Sequence, residues 1–60
     1  MYRVNYGNGQ VGAEVPTREL AERLADMERE TNRGAYAPFV YVQQYRAGSA
    51  DSPGDWFRVN

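Results

Sequence analysis

The chain has 60 residues, with seven arginines, no lysine and eight acidic residues, and its net charge of −1 excludes the strongly basic composition typical of nucleic-acid-binding domains. It contains no cysteine and no histidine, which excludes disulfides and thiolate metal sites. A chain this short forms one domain, residues 1–60, and buries only about 60% of the surface that its unfolded form exposes. We therefore expect tight packing or a homodimer to supply the stability that disulfides give other small domains.

Two further features of the composition concern where the chain acts. No apolar stretch approaches the roughly 20 residues of a membrane span, and the N-terminus lacks the apolar core of a signal peptide. We expect a soluble, cytoplasmic protein without membrane contact.

The exclusive use of arginine has two interpretations, which are codon bias in a GC-rich genome and selection for planar cations that stack and bind bidentately.

The first part of the chain is predicted to form a β-hairpin. Residues 2–7 and 10–15 alternate with period two, and Asn8-Gly9 lies between them. This dipeptide favours a type I′ turn, in which both central residues have positive φ. The two-residue loop then pairs Tyr2 with Val15 and places Arg3 opposite Glu14. In this register the apolar side chains share one face, which carries Tyr2, Val4, Tyr6, Val11, Ala13 and Val15.

The same segment matches the phosphate-binding pattern G-x-G-x-x-G from Gly7 to Gly12. A phosphate site of this type requires a helix that opens at the last glycine, so that its backbone N–H groups meet the phosphates. Here the last glycine leads into the second predicted strand and then to Pro16. We therefore interpret the glycines as part of the hairpin and predict no cofactor.

A helix is predicted over residues 17–33, with Thr17 as its N-cap and Gly34 just beyond its C-terminus. Apolar positions recur at helical spacing, and this stripe is expected to pack on the sheet; it comprises Leu20, Leu24, Met27 and Thr31, widened by Ala21. The opposite side is charged and is expected to face solvent; it comprises Arg18, Glu19, Glu22, Arg23, Asp26, Arg29, Glu30 and Arg33. Because the arginines alternate with the acids, we predict a solvated face there and no metal site.

A second hairpin is predicted from residues 38–46 and 55–59, joined by a polar loop that ends in a type II turn. We expect Tyr45 to pair with Trp56, which also sets the pairs Gln44–Phe57, Gln43–Arg58 and Val42–Val59. One face then carries Val40, Val42, Phe57 and Val59. In the alternative, Phe39 and Tyr41 would face the helix; we prefer the valines inside because both hairpins then pair consistently.

These elements predict an α+β domain of order β-β-α-β-β. The helix would cover one face of a four-stranded antiparallel sheet with strand order 2-1-3-4. The opposite face would be left open and would carry several aromatic residues, although an open sheet face is usually polar. The candidate partner-binding residues on that face are Arg3, Phe39, Tyr41, Gln43, Tyr45, Trp56 and Arg58.

The open aromatic face has three interpretations. Tyrosine, tryptophan and arginine commonly anchor protein interfaces, so we favour a protein-interaction module that associates with itself or docks to, and inhibits, another protein. The first alternative is a stacking platform for single-stranded nucleic acid, with arginines on the phosphates. The second alternative is a small structural domain without a ligand, in which cross-strand aromatic pairs only stabilise the sheet.

Catalysis is not expected. The chain lacks the histidine, cysteine and lysine that most often serve as base or nucleophile, and so small a core leaves no room for an ordinary pocket. We predict no enzyme activity and no metal. In size and lysine-free composition the chain resembles accessory proteins of GC-rich bacteria or their viruses, and this resemblance implies a regulator or inhibitor that acts by protein contact.

Overall fold

The computed structural model describes residues 1–31 and 37–60. It contains a single α-helix and three strands, and the elements in chain order are β1 (Tyr2–Asn5), α1 (Arg18–Thr31), a 3₁₀ turn (Ala37–Phe39), β2 (Tyr41–Arg46) and β3 (Asp55–Arg58). The strands form an antiparallel sheet in the order β1-β2-β3, and α1 packs against β1 and β2. The predicted α+β architecture with one helix on an antiparallel sheet is confirmed.

The hairpin of β2 and β3 has the predicted register. Tyr45 lies opposite Trp56, Gln44 opposite Phe57 and Gln43 opposite Arg58. The ladder continues past β3, because the backbone N–H of Val59 donates to the carbonyl of Val42 at 3.0 Å. This register keeps the alternation of the two segments in phase, because a shift by one residue would turn the apolar side chains of one segment to the other face.

The predicted second strand, residues 10–15, is not a strand, and the sheet has three strands instead of four. Tyr2 and Val15 pair as predicted and exchange both backbone hydrogen bonds, at 2.8 and 2.7 Å. Nearer the loop, however, Val11 pairs with Asn5 where Tyr6 was expected. The segment thus holds one residue more than β1 between the two pairs, which is the count of a β-bulge and interrupts the ladder. Val11 and Ala13 are consequently exposed.

The loop of this hairpin explains the shift in register. The backbone N–H of Tyr6 donates to the carbonyl of Gln10 at 3.0 Å, so three residues separate the pair instead of two. Positive φ occurs at Gly7 and Gly9, at 78° and 91°, and not at Asn8 as a type I′ turn requires. The Asn8 side chain instead accepts a hydrogen bond from the backbone of Gln10, at 3.0 Å.

The long strand predicted over residues 38–46 begins later, at Tyr41. The preceding residues form the 3₁₀ turn, in which the N–H of Val40 donates to the carbonyl of Ala37 at 3.4 Å. The fixed φ of Pro38 suits the start of a helical turn, and proline has no N–H to give a sheet ladder. Phe39 therefore lies outside the sheet and does not follow the alternation of β2.

The helix begins as predicted. Thr17 caps it, since its hydroxyl oxygen accepts the backbone N–H of Leu20 at 3.2 Å. The predicted continuation to Arg33 and the terminating role of Gly34 lie outside the described residues. In the described ranges, no helix combines the length and apolar character that a transmembrane segment needs.

The face that α1 turns to the sheet differs from the predicted stripe, of which only Ala21 is buried. Ala21 and Ala25 are completely buried, whereas Leu20, Leu24 and Met27 are 43%, 42% and 64% exposed. The buried line is displaced from the predicted stripe by about 100°, which corresponds to one residue position on a helix. The core joins the two alanines to valines of the sheet and comprises Val4, Ala21, Ala25, Val40 and Val42.

Two arginines explain this orientation of the helix. Arg18 donates to the carbonyl of Val59 and Arg29 to the carbonyl of Val40, each at 2.8 Å. Both were predicted to face solvent, but they tie one flank of the helix to backbone carbonyls that the sheet leaves unused. Methyl side chains below the helix let it approach closely enough for both contacts. The apolar stripe is left on the other flank.

The two glycines of the first loop differ in their surroundings and should differ in their tolerance of alanine. A Cβ at Gly9 would meet nothing within 4 Å, whereas a Cβ at Gly7 would lie 2.5 Å from the Cβ of Phe39. We expect Gly9→Ala to cost about 1–2 kcal/mol for its positive φ alone. Gly7→Ala should cost at least about 1 kcal/mol more, from the clash with the 3₁₀ turn. Urea denaturation checks this, and equal losses would contradict the contact.

The contact of Ala21 and Ala25 with the valines of the sheet can be tested by substitution. Ala25→Leu should lower the free energy of unfolding by about 1–3 kcal/mol, because the larger side chain separates the helix from the valines. Glu19→Leu adds an apolar side chain at an exposed position of the same helix, where only a solvent-exposed ion pair with Arg23 is lost, and should stay within about 0.5 kcal/mol of the wild type. Thermal or urea unfolding followed by circular dichroism distinguishes them; a neutral Ala25→Leu would show that the helix rests on another face.

Candidate functional site

The sheet side away from α1 is the candidate site. Because Val4 and Val42 point into the core, the residues that alternate with them point the other way. This surface, called the aromatic face below, comprises Arg3, Tyr41, Gln43, Tyr45, Trp56 and Arg58. The structure thus brings together every predicted site residue except Phe39. That residue is 60% exposed in the 3₁₀ turn, beside Gly7.

Arginine side chains cover rings of the aromatic face. The guanidinium of Arg3 lies 4.1 Å from the ring centroid of Trp56, and that of Arg58 lies 4.7 Å from the ring centroid of Tyr41. Tyr45 packs against Trp56 in a tilted geometry, with centroids 5.3 Å apart and planes at 55°. Such contacts restrict the rotamers of long side chains, since each cation is held at its ring by electrostatic attraction.

Gln43 is the centre of the aromatic face. It lies between Arg3 on β1 and Arg58 on β3, and it is the one polar residue in the buried class among the described residues, at 9% exposure. Its side-chain carbonyl accepts the Nε–H of Arg3 at 2.9 Å. Two contacts therefore hold the guanidinium of Arg3, which are the hydrogen bond to the Gln43 amide and the cation–π contact with the ring of Trp56. This arrangement was not anticipated from the alternation alone.

The charge of the aromatic face is positive. The predicted partner of Arg3 was Glu14, but no ion pair joins the two in the described residues. The ion pairs given by the structure in those residues all lie along α1. Two guanidiniums, three rings and one amide can recognise a partner by stacking and hydrogen bonding, and they supply no base or nucleophile of ordinary strength.

The flank of the helix that faces the bulged segment forms a second exposed apolar surface. Leu20, Leu24 and Met27 are exposed on this flank. Leu24 and Met27 border an open groove of about 310 Å³ whose other wall contains Gly12 and Ala13. The sequence prediction missed this surface because it assigned these side chains to the core. The available signal was the Ala21–Ala25 spacing of four, which marks a line of close approach beside the larger residues.

In the described residues, no three acidic side chains are grouped as metal ligands. Each buried side-chain nitrogen or oxygen in the same ranges has a hydrogen-bond partner.

Comparison with known proteins identified no relative of this chain. No protein-family model matches the chain, and searches of curated proteins and of solved structures found no match. The chemistry of the exposed surfaces therefore carries the functional argument.

The stacking of Arg3 can be tested with Trp56, the only tryptophan of the chain. Arg3→Leu should shift the indole N–H resonance of Trp56 and lower stability by about 1–2 kcal/mol, through loss of the cation–π contact and of the donor to Gln43. Arg58→Leu is the matched control on the same face, because its ring partner is Tyr41. An indole resonance that moves equally in both variants would contradict the specific Arg3–Trp56 contact.

Proposed function

We propose that the chain is a non-catalytic interaction module that docks to another protein through the aromatic face. The observation that carries this proposal is the stacked arrangement of Arg3 on Trp56 and of Arg58 on Tyr41 around the buried Gln43. Arginine, tyrosine and tryptophan are the residue types that most often dominate binding energy at protein interfaces.

Preorganisation supports this function. Immobilising a long side chain at an interface costs about 0.5–1.5 kcal/mol, and a side chain that is already held avoids much of that cost. Arg3 is held by both Trp56 and Gln43, and Tyr45 is held by its contact with Trp56. A partner would therefore meet a nearly rigid platform carried by three hydrogen-bonded strands.

The chemistry of the platform indicates the kind of partner surface. The Nε–H of Arg3 is used by Gln43, and the Nε–H of Arg58 is directed to the backbone carbonyl of Asn60. The terminal amino groups of a stacked guanidinium remain suited to bidentate pairing with carboxylates. We expect a partner that presents aspartate or glutamate side chains around a flat apolar centre. If the partner uses that surface for catalysis or assembly, docking would inhibit it.

Single-stranded nucleic acid is the second candidate, and the geometry favours it less. Base stacking needs accessible ring faces, and guanidiniums already occupy a face of Trp56 and of Tyr41. A net charge of −1 also opposes phosphate binding over the chain as a whole. The interpretation as a structural domain without a ligand is supported by the same contacts, since they stabilise the sheet. It does not explain why two partly exposed arginines lie on these rings.

A matched pair of substitutions tests the docking function. Tyr45 and Phe57 are 40% and 45% exposed on adjacent rungs of the same hairpin, but they lie on opposite faces. The immobilised wild-type chain should retain a protein from lysate of the cells that make it. Tyr45→Ser should reduce that retention at least about tenfold, as expected when an interface anchor of about 1.4 kcal/mol or more is lost. Phe57→Ser should retain the protein fully.

Equal retention by both serine variants would place the contact elsewhere and refute docking through the aromatic face. Folding of each variant is checked by circular dichroism, because Tyr45→Ser also removes the ring contact with Trp56. For the nucleic-acid alternative, amide shifts are followed during titration with mixed single-stranded DNA and RNA at low salt, where electrostatic binding is strongest. Shifts confined to the aromatic face would favour that alternative, and their absence would exclude it.

A further inference from the structure

The exposed stripe of α1 has the geometry of a helix–helix seam. Leu20, Leu24, Met27 and Thr31 follow one another at spacings of four, three and four, and all four are exposed. A seam of this spacing is the one by which two helices pack along each other. An exposed contiguous apolar surface on a small domain marks an interaction site more often than scattered single residues do.

We propose that this seam pairs with the same seam of a second copy of the chain. In the pair, the two α1 helices run antiparallel about a two-fold axis that passes between Leu24 and Met27. A two-fold contact is isologous, so one apolar seam serves as both partners. Leu24 of each copy then lies beside Met27 of the other, and Leu20 lies beside Thr31.

Charge complementarity favours the second copy as occupant. In this arrangement Arg23 is level with residue 28 of the second copy. Glu30 of that copy lies two residues further along its helix, which is about 3 Å along the axis at 1.5 Å per residue. Both residues are exposed and lie on the solvent side of the seam, where Arg23 also pairs with Glu19 of its own helix at 3.6 Å. The two-fold axis repeats the contact, which gives two opposite-charge pairs.

The bulged segment extends the same surface. It forms the wall of the groove opposite α1 through Gly12 and Ala13, and Val11 next to them is 42% exposed. The antiparallel pair brings the grooves of the two copies together under the helices. A standard interface takes about 800 Å² from each partner. The chain has an accessible surface of 4276 Å², so such an interface would take roughly a fifth of it. The seam alone is narrow for this, and the groove wall adds further apolar surface beside it.

The self-pairing goes beyond the docking function and does not depend on it. The seam lies on the helix side of the sheet and the aromatic face on the other side, so a dimer would present two aromatic faces. A partner with two binding sites would then bind both aromatic faces of the dimer.

Charge reversal tests the pairing. Sedimentation velocity across concentration should show the 6.8 kDa chain converting to a dimer of twice that mass. Arg23→Glu and Glu30→Arg should each raise the dimer dissociation constant about tenfold, because each sets two pairs of like charges opposite one another. The double variant R23E/E30R restores both pairs and should return the constant to within about threefold of wild type. The single variants change the net charge in opposite directions, so a general charge effect would not weaken both.

A second pair of variants locates the interface. Met27→Asp, at a side chain 64% exposed, should abolish the dimer and leave the helical circular dichroism signal unchanged. Phe57→Asp, also at an exposed position but outside the seam and groove, should leave the dimer intact. A strictly monomeric wild type up to about 1 mM, the concentration at which even a contact of about 4 kcal/mol is populated, would overturn the proposal. So would a double variant as weak as the single ones. Neither result would alter retention by the aromatic face, so the two proposals fail separately.

Discussion

The contact between the two alanines of α1 and the valines of the sheet sets the arrangement of everything else. Ala21 and Ala25 have no side chain beyond a methyl group, so the helix lies close to β1 and β2. At this distance Arg18 and Arg29 reach backbone carbonyls at the ends of the strands. These contacts fix the rotation of the helix and expose its larger apolar side chains. A small core is thus combined with a large apolar surface outside it.

Two exposed surfaces result from this one constraint, and they differ in chemistry. The aromatic face is polar at its edges and already packed within itself, with each arginine on a ring and Gln43 beneath. The helix seam is mainly aliphatic, borders a groove and includes Met27, whose unbranched side chain adapts readily to a partner. The first surface suits recognition of a charged partner, where prior ordering lowers the cost of binding. The second suits a partner of the same aliphatic kind, which a second copy provides.

Most of the strand pairing could be predicted, and particular residues show why. Tyr45 and Trp56 pair as predicted because a shift by one residue would turn Val42 out of the core. Tyr2 and Val15 pair for the same reason. The prediction was wrong nearer the first loop, where the Asn8-Gly9 signal for a two-residue turn competed with a three-residue loop that uses positive φ at both flanking glycines. Between the two pairs, the segment after the loop holds one residue more than β1. This extra residue interrupts the ladder, so the segment does not form a fourth strand.

The sequence by itself determined which side chains share a face of each strand, where the helix begins and which residues of β1, β2 and β3 meet on the aromatic face. These features depend on local periods of two and 3.6 residues and on neighbours along the chain. Only the tertiary structure decided the rotation of the helix, the position of Phe39 outside the sheet and the stacking of arginine on the rings. Each of these depends on distances between segments far apart in sequence. Apolar periodicity marks a helix face that is suited to burial, but whether the sheet or another surface covers it depends on how closely the helix can approach.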